Sequence, residues 1–229
     1  MEQASVRTLD TYKRVDAYGT TYASGFPAGS YGATLFAKIK AAIPQASTLS
    51  GTQSAGQAAA HSAALAKAYD RVLIRRDLSA INHAAHSLAL MGVTGLEGKF
   101  KITDHHGDQA LLGSARGFVT NATPLTAQFV QLGLPADFLT TLGTHITQLE
   151  TDNTAKAGGG EQQAGATGGI AQTVHDASIA LHILDTVVRN TYANNPTALA
   201  AWVMASHLER APQKTKAPAP APEPAPAKA

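Results

Sequence analysis

The chain has no cysteine, which excludes a disulfide framework, thiol catalysis and Cys-ligated zinc while leaving the redox compartment open. Aromatic residues make up 6% and charged residues 15% of its 229 positions, and a formal net charge of +2 is spread along it. No basic face of the kind that tracks a phosphate backbone results, so no nucleic-acid partner is expected. No window approaches the ~18 uninterrupted apolar residues of a membrane span, and the opening residues carry no apolar signal core. No membrane association is therefore expected, and the cytoplasm is the default location. Glutamate is scarce, which disfavours a di-iron bundle built on Glu-x-x-His. What is plentiful is Ala and Leu, within a hydrophobic fraction of 44%; that is ample for a buried core and favours helix.

The apolar spacing is helical almost throughout. Val6, Leu9, Tyr12, Val15, Tyr18, Tyr22 and Phe26 predict a first helix, stopped by Pro27-Ala28-Gly29. Ser30 is placed to cap a second, with Leu35, Phe36, Ile39 and Ile43 facing inward and Pro44 set to kink or divide it. Residues 50–56 read as a small-residue turn. A long helix is expected over residues 58–90, inward first through Leu65, Tyr69 and Val72 and then through Ile74, Leu78, Ile81, Ala85 and Leu88. After an irregular connection to Gly107, Asp108 reads as the cap of a helix with the seam Leu111, Ala115, Phe118, Ala122, Leu125, Phe129 and Leu132, disturbed only by Pro124. Gly133 stops it, and Pro135 suits the first turn of a helix carrying Phe138, Leu142, Ile146 and Leu149. Gly158-Gly159-Gly160 reads as a hairpin turn into a central helix whose seam is Ile170, Val174, Ala177, Leu181, Leu184 and Val188. Gly165, Gly168 and Gly169 make the start of that helix either frayed or a place of close backbone approach. Asn195-Pro196 opens a last helix anchored by Trp202, and Ala211-Pro212 closes it.

Shifted by 103 residues, the chain repeats this plan. Leu9 meets Leu112, Phe26 meets Phe129, Ile43 meets Ile146, Gly56 meets Gly159 and Leu78 meets Leu181. The expected fold is all-α: an elongated antiparallel bundle of six or seven helices over residues 1–211, in two similar three-helix halves at residues 1–90 and 104–193. Residues 212–229 are expected to form a disordered Pro/Ala-rich tail, in which alternating proline favours an extended polyproline II spacer.

Candidate site residues are few. His175, Ser178, His182, Asp185 and Arg189 form a polar stripe on the central helix, and the repeat pairs the last four with Arg75, Ser79, Asn82 and His86. Facing inward, His175, His182, Asp185, Arg189, Arg75 and His86 would bind a metal or a small anion between the long helices. Facing outward, they are solvated helix surface, with Asp185 and Arg189 an i,i+4 pair. His83 with His86, and His105-His106 beside Asp108, have metal-compatible spacing without a full ligand set. Gly113-Ser114-Ala115-Arg116-Gly117 lacks the strand-turn-helix setting of a nucleophile elbow, and the glycine run lacks the Lys-Ser/Thr of a phosphate loop. No catalytic residue and no cofactor are predicted, and a metal is left open.

Phe26-Pro27-Ala28-Gly29-Ser30, the segments 76–82, 98–102 and 134–139, and Ala200-Ala201-Trp202 through Arg210-Ala211-Pro212 together resemble a group of uncharacterised, all-helical bacterial proteins. The resemblance implies a bacterial origin and a helical fold, and carries no activity. The functional expectation is a non-catalytic interaction or assembly protein with a protein partner or self-association. The alternative is a small-ligand- or metal-binding bundle, possibly an enzyme, using the polar stripe.

Overall fold

The computed structural model describes residues 3–102 and 107–208. Among the described residues the fold is all-helical, with no strand. The helices are α1 (Gln3–Thr21), α2 (Tyr31–Leu90), α3 (Asp108–Ala122), the short α4 (Thr126–Gln131), α5 (Phe138–Thr191) and α6 (Pro196–Ser206). None of them is long and apolar enough to cross a membrane. The tail, residues 212–229, lies outside the described residues, as do His105 and His106.

The largest departure from the sequence reading is that α2 and α5 run unbroken for 60 and 54 residues. Residues 50–56 and Gly158-Gly159-Gly160 are helix interior, not turns. Two of these glycines serve a neighbouring backbone. A Cβ on Gly56 would lie 2.7 Å from the Gln163 amide nitrogen and 2.8 Å from the Gly159 carbonyl oxygen. A Cβ on Gly159 would lie 2.6 Å from the Ala60 nitrogen and 2.8 Å from the Gly56 oxygen. Only glycine lets the two helices approach this closely. Ala63 and Ala166, one helical turn or two further along, are buried beside the contact. Gly169 admits the Leu49 side chain, whereas nothing approaches Gly165 or Gly168. Pro44 also stays inside α2: it and Lys40, whose carbonyl it leaves without a donor, are exposed, so water can replace the missing bond.

The other boundaries shift for local reasons. Helix α1 stops at Thr21 and tightens into a 3-10 turn, Ala23–Gly25, which brings Phe26 against Phe36 with ring centroids 5.0 Å apart. Pro124 does more than disturb its helix. Having no N–H to give, it ends α3 and forms the 3-10 turn Thr123–Leu125. Pro135 precedes α5, with the Phe138 amide donating to its carbonyl at 3.1 Å. Gly107 occupies the cap position of α3 in extended backbone, and Asp108 is the first helical residue. Ser30 caps as expected, its Oγ accepting from the Ala33 amide at 3.2 Å, and at the Asn195-Pro196 start Asn195 Oδ1 accepts from the Ala198 amide at 3.1 Å. Helix α6 ends at Ser206, ahead of the expected Ala211-Pro212 stop.

The chain divides into two compact units, Met1–Ala46 with Ala171–Ala229, and Ser47–Ile170. In the first, Leu9, Tyr12, Val15, Ile39, Leu184 and Val188 form the core with Trp202, which is fully buried. The Tyr18 ring meets the Trp202 ring edge-on at 5.1 Å, and Tyr12 Oη donates to the Val174 carbonyl at 2.8 Å. In the second, Ile74, Leu78, Ile81, Leu111, Leu112, Phe118, Phe129, Leu142 and Leu149 form a separate core, with Phe129 stacked edge-on against Phe100 and Phe138.

Candidate functional site

The predicted stripe lies on helix surface. His175, His182 and Arg189 are exposed in the unit that holds residues 171–208, and Arg75 and His86 are exposed in the unit Ser47–Ile170. Asp185 is half-buried and structurally engaged: Oδ1 accepts from Trp202 Nε1 at 2.7 Å and Oδ2 from Arg189 Nε at 2.8 Å. The Arg189 hydrogen bond holds the Asp185 carboxyl below its ordinary range against burial, helped by Trp202 and by the charges of Arg189 and His182. This group tethers α6. His86 lines a cavity of about 290 Å³ with Asn82, Glu97 and Lys101. Among the described residues no three His, Asp or Glu side chains are placed to hold a metal ion.

The polar groups that are buried between helices lie elsewhere, in the unit Ser47–Ile170, on α2 and α5. Asp77 Oδ2 meets His145 Nδ1 at 2.6 Å, each side chain being about 15% exposed. Asp70 and Asp152 are both buried, and the Asp152 carboxyl lies close enough to perturb that of Asp70. Asp70 and Asp77 are seven residues apart on α2, as are His145 and Asp152 on α5, so each helix presents both its polar groups along one face. Ile74 and Leu149, both fully buried, fall between them in sequence. The arrangement is two polar pairs flanking an apolar layer, with α2 and α5 antiparallel.

A neighbouring carboxyl and burial both disfavour the ionised form of a carboxyl. Burial raises the Asp70 pKa first, and the hydrogen bond and charge of Asp152 raise it further, while the charge of His145 opposes them. Asp152 Oδ1 accepts from Gln148 Nε2 at 3.2 Å, but the Oδ2 atoms of Asp70 and Asp152 are buried with no donor. Protonation of Asp70, which its raised pKa favours, supplies a donor where these buried oxygens lack one. At the near end of the unit, Asp108 pairs with Lys67 and Arg71, all three at least partly buried. Burial pushes its carboxyl up, and the hydrogen bonds and charges of the two cations outweigh that and hold it below its ordinary value.

A cavity of about 300 Å³ adjoins the Asp77–His145 pair. Ile81, Leu134, Pro135 and Phe138 provide apolar wall, and Arg76, Asp77 and Thr141 provide its polar groups. Gly133 at φ +91° is what turns the chain so that Leu134 and Pro135 can form this wall.

The outer face of α2 carries a second feature. Leu65, Tyr69 and Val72, expected to face the core, are 61%, 65% and 61% exposed. Their spacings of four and three stack them in one row, while Ala63, Asp70 and Ile74 take the buried side. Comparison of the chain with protein-family models, with curated proteins and with solved structures finds no match.

Proposed function

We propose that this is a non-catalytic interaction protein that docks a partner helix, or a second copy of itself, on the row Leu65, Tyr69 and Val72. The observation that supports it most is that three large apolar side chains, each more than 60% exposed, stand in register on a single helix face. Isolated apolar residues on a surface are ordinary; a stacked row at 4-3 spacing has the geometry of a helix-packing seam. Tyr69→Glu places a charge in the middle of the row without touching the core. Sedimentation across a concentration range and photo-crosslinking from position 69 test the reading. Loss of self-association, or of a specific crosslinked partner, is the expected result. A monomer at all concentrations with no crosslinked product in its native cell would sink it.

The same reading includes an internal duplication. Its support is that α1 and α2 recur in order as α3 and α5 at an offset of 103 residues, and that Gly56 and Gly159, which are 103 apart, contact each other reciprocally. Ala60 and Gln163, whose nitrogens complete that contact, are also 103 apart.

A second reading, small-ligand binding, is favoured by the cavity beside Asp77 and His145. Its lower bound on size and its mixed lining match a small organic molecule.

A further inference from the structure

We infer that the cavity beside Asp77 binds a free apolar α-amino acid as its zwitterion. The inference rests on the small-ligand reading and adds the chemical class. At about 300 Å³ the cavity sits at the small end of the ~300–1,000 Å³ typical of ligand sites, which sets aside nucleotides and large cofactors. Ile81, Leu134, Pro135 and Phe138 give it an apolar wall that suits an aliphatic or aromatic side chain. Its charged groups are two consecutive residues of opposite sign.

Asp77 is held in place: Oδ2 is tied to His145 at 2.6 Å and the side chain is 15% exposed. Its Oδ1, which Arg76 contacts, is the oxygen placed to accept from an ammonium group. Arg76 is 65% exposed, and its Nε and Nη2 reach Asp77 Oδ1 only at 3.4 and 3.2 Å. Such long contacts leave the guanidinium able to turn and present its two-pronged fork to a carboxylate. A simple amine taking Asp77 Oδ1 would cost Arg76 its partner, and a simple acid taking Arg76 would cost Asp77 Oδ1 its donor. A zwitterion matches both, and its apolar side chain displaces water from the remaining wall.

The experiment is isothermal titration of the full-length protein with L-leucine and L-phenylalanine, compared with isovaleric acid, isoamylamine and glycine. Saturable one-to-one binding of leucine or phenylalanine is expected, weakened at least about tenfold when the ammonium, the carboxylate or the apolar side chain is missing. Arg76→Gln, at an exposed position where helical content should be unchanged by circular dichroism, is expected to weaken leucine binding by a similar factor and to leave isoamylamine binding as it was. Isovaleric acid or isoamylamine binding as tightly as the amino acids overturns the assigned class while the cavity survives as a ligand site. Absence of saturable binding by every probe overturns both.

Discussion

Replacing Gly159 by alanine should destabilise the protein, although the same change at its neighbour Gly158 should stabilise it. Both are interior residues of α5, where alanine is ordinarily favoured over glycine by roughly 0.5–1 kcal/mol. At Gly158 nothing lies within 4 Å of an added Cβ, so that gain is realised in full. At Gly159 the new carbon would sit 2.6 Å from the Ala60 nitrogen, 2.8 Å from the Gly56 oxygen and 3.1 Å from the Ala60 Cα. All three are backbone atoms of a hydrogen-bonded helix, so no rotamer change relieves the contact. Reaching ordinary separation requires α2 to retreat by about 0.8 Å, which loosens the buried Ala63 and Ala166 beside it. Overpacking of this kind costs about 1–3 kcal/mol, which exceeds the propensity gain. The two variants should therefore differ by about 1–3 kcal/mol with opposite signs, since the propensity gain is common to both. At roughly 2–4 °C per kcal/mol for a chain of this size, the separation is well resolved in thermal or urea unfolding followed by circular dichroism. Gly56→Ala should behave like Gly159→Ala, and Gly165→Ala and Gly168→Ala like Gly158→Ala. Equal stabilisation at 158 and 159 would refute the close approach. Destabilisation at both would refute an unbroken α5 and restore a turn there.

Asp70→Asn tests the buried carboxyl pair. A carboxyl whose pKa is raised on folding binds its proton more tightly in the native state, so stability falls as pH rises from the ordinary carboxyl range through the elevated value. The asparagine supplies a permanent donor to Asp152; the difference between variant and parent in urea midpoint should grow in the variant's favour across that window and then level off. A difference independent of pH would count against a raised Asp70 carboxyl. Asp108→Asn has the opposite sign. The depressed carboxyl contributes stability above its ordinary value and loses it as pH falls through the lower one. The variant should cost about 1–3 kcal/mol at neutral pH and lose that deficit in acid. Trp202→Ala removes the anchor of α6 and its hydrogen bond to Asp185, and should cost about 3–5 kcal/mol in chemical denaturation.

The seams were readable because they depend only on the 3.6-residue period. Leu111, Ala115, Phe118, Ala122 and Phe129 are all buried as their spacing requires, as are Ala177, Leu181, Leu184 and Val188. Ser30 and Asn195 cap helices because a side-chain oxygen next to a helix start acts locally. Glycine misled because its meaning at residues 56 and 159 is set by a backbone about a hundred residues away, not by its own neighbours. The site was misplaced for a related reason. The exposed His182 stripe and the inward Asp70, Asp77, His145 and Asp152 are equally polar in sequence. A signal was nonetheless present, since Asp70 and Asp77 lie four before and three after Ile74, and His145 and Asp152 lie four before and three after Leu149. Those are seam positions. Which acid meets which partner is long-range information that spacing does not hold. Likewise Leu65, Tyr69 and Val72 keep seam spacing, yet the smaller Ala63 takes the packed side where backbones approach closely.

The proposed duplication makes one last expectation sharp. At the 103-residue offset, Asp77 corresponds to Ala180 and His145 to Ala42, and both alanines are buried in the core of the other unit. One helical plan therefore packs with alanine at the positions where its counterpart carries a hydrogen-bonded couple. The polar pair is then not what holds α2 against α5. Removing both members of a partly buried pair is often close to neutral, whereas removing one leaves the other without its partner. Asp77→Ala should cost about 1–3 kcal/mol because His145 loses its acceptor in a site that water reaches poorly. Adding His145→Ala should recover part of that loss, so the double variant is more stable than the sum of the two singles by about 1 kcal/mol or more. A complete cycle by urea denaturation measures the coupling. Strict additivity would mean that the two side chains do not interact; a double variant well below the parent would mean that the couple contributes to packing, and one as stable as the parent would mean that Asp77 and His145 add nothing to stability, which is the pattern of a binding site rather than of a core.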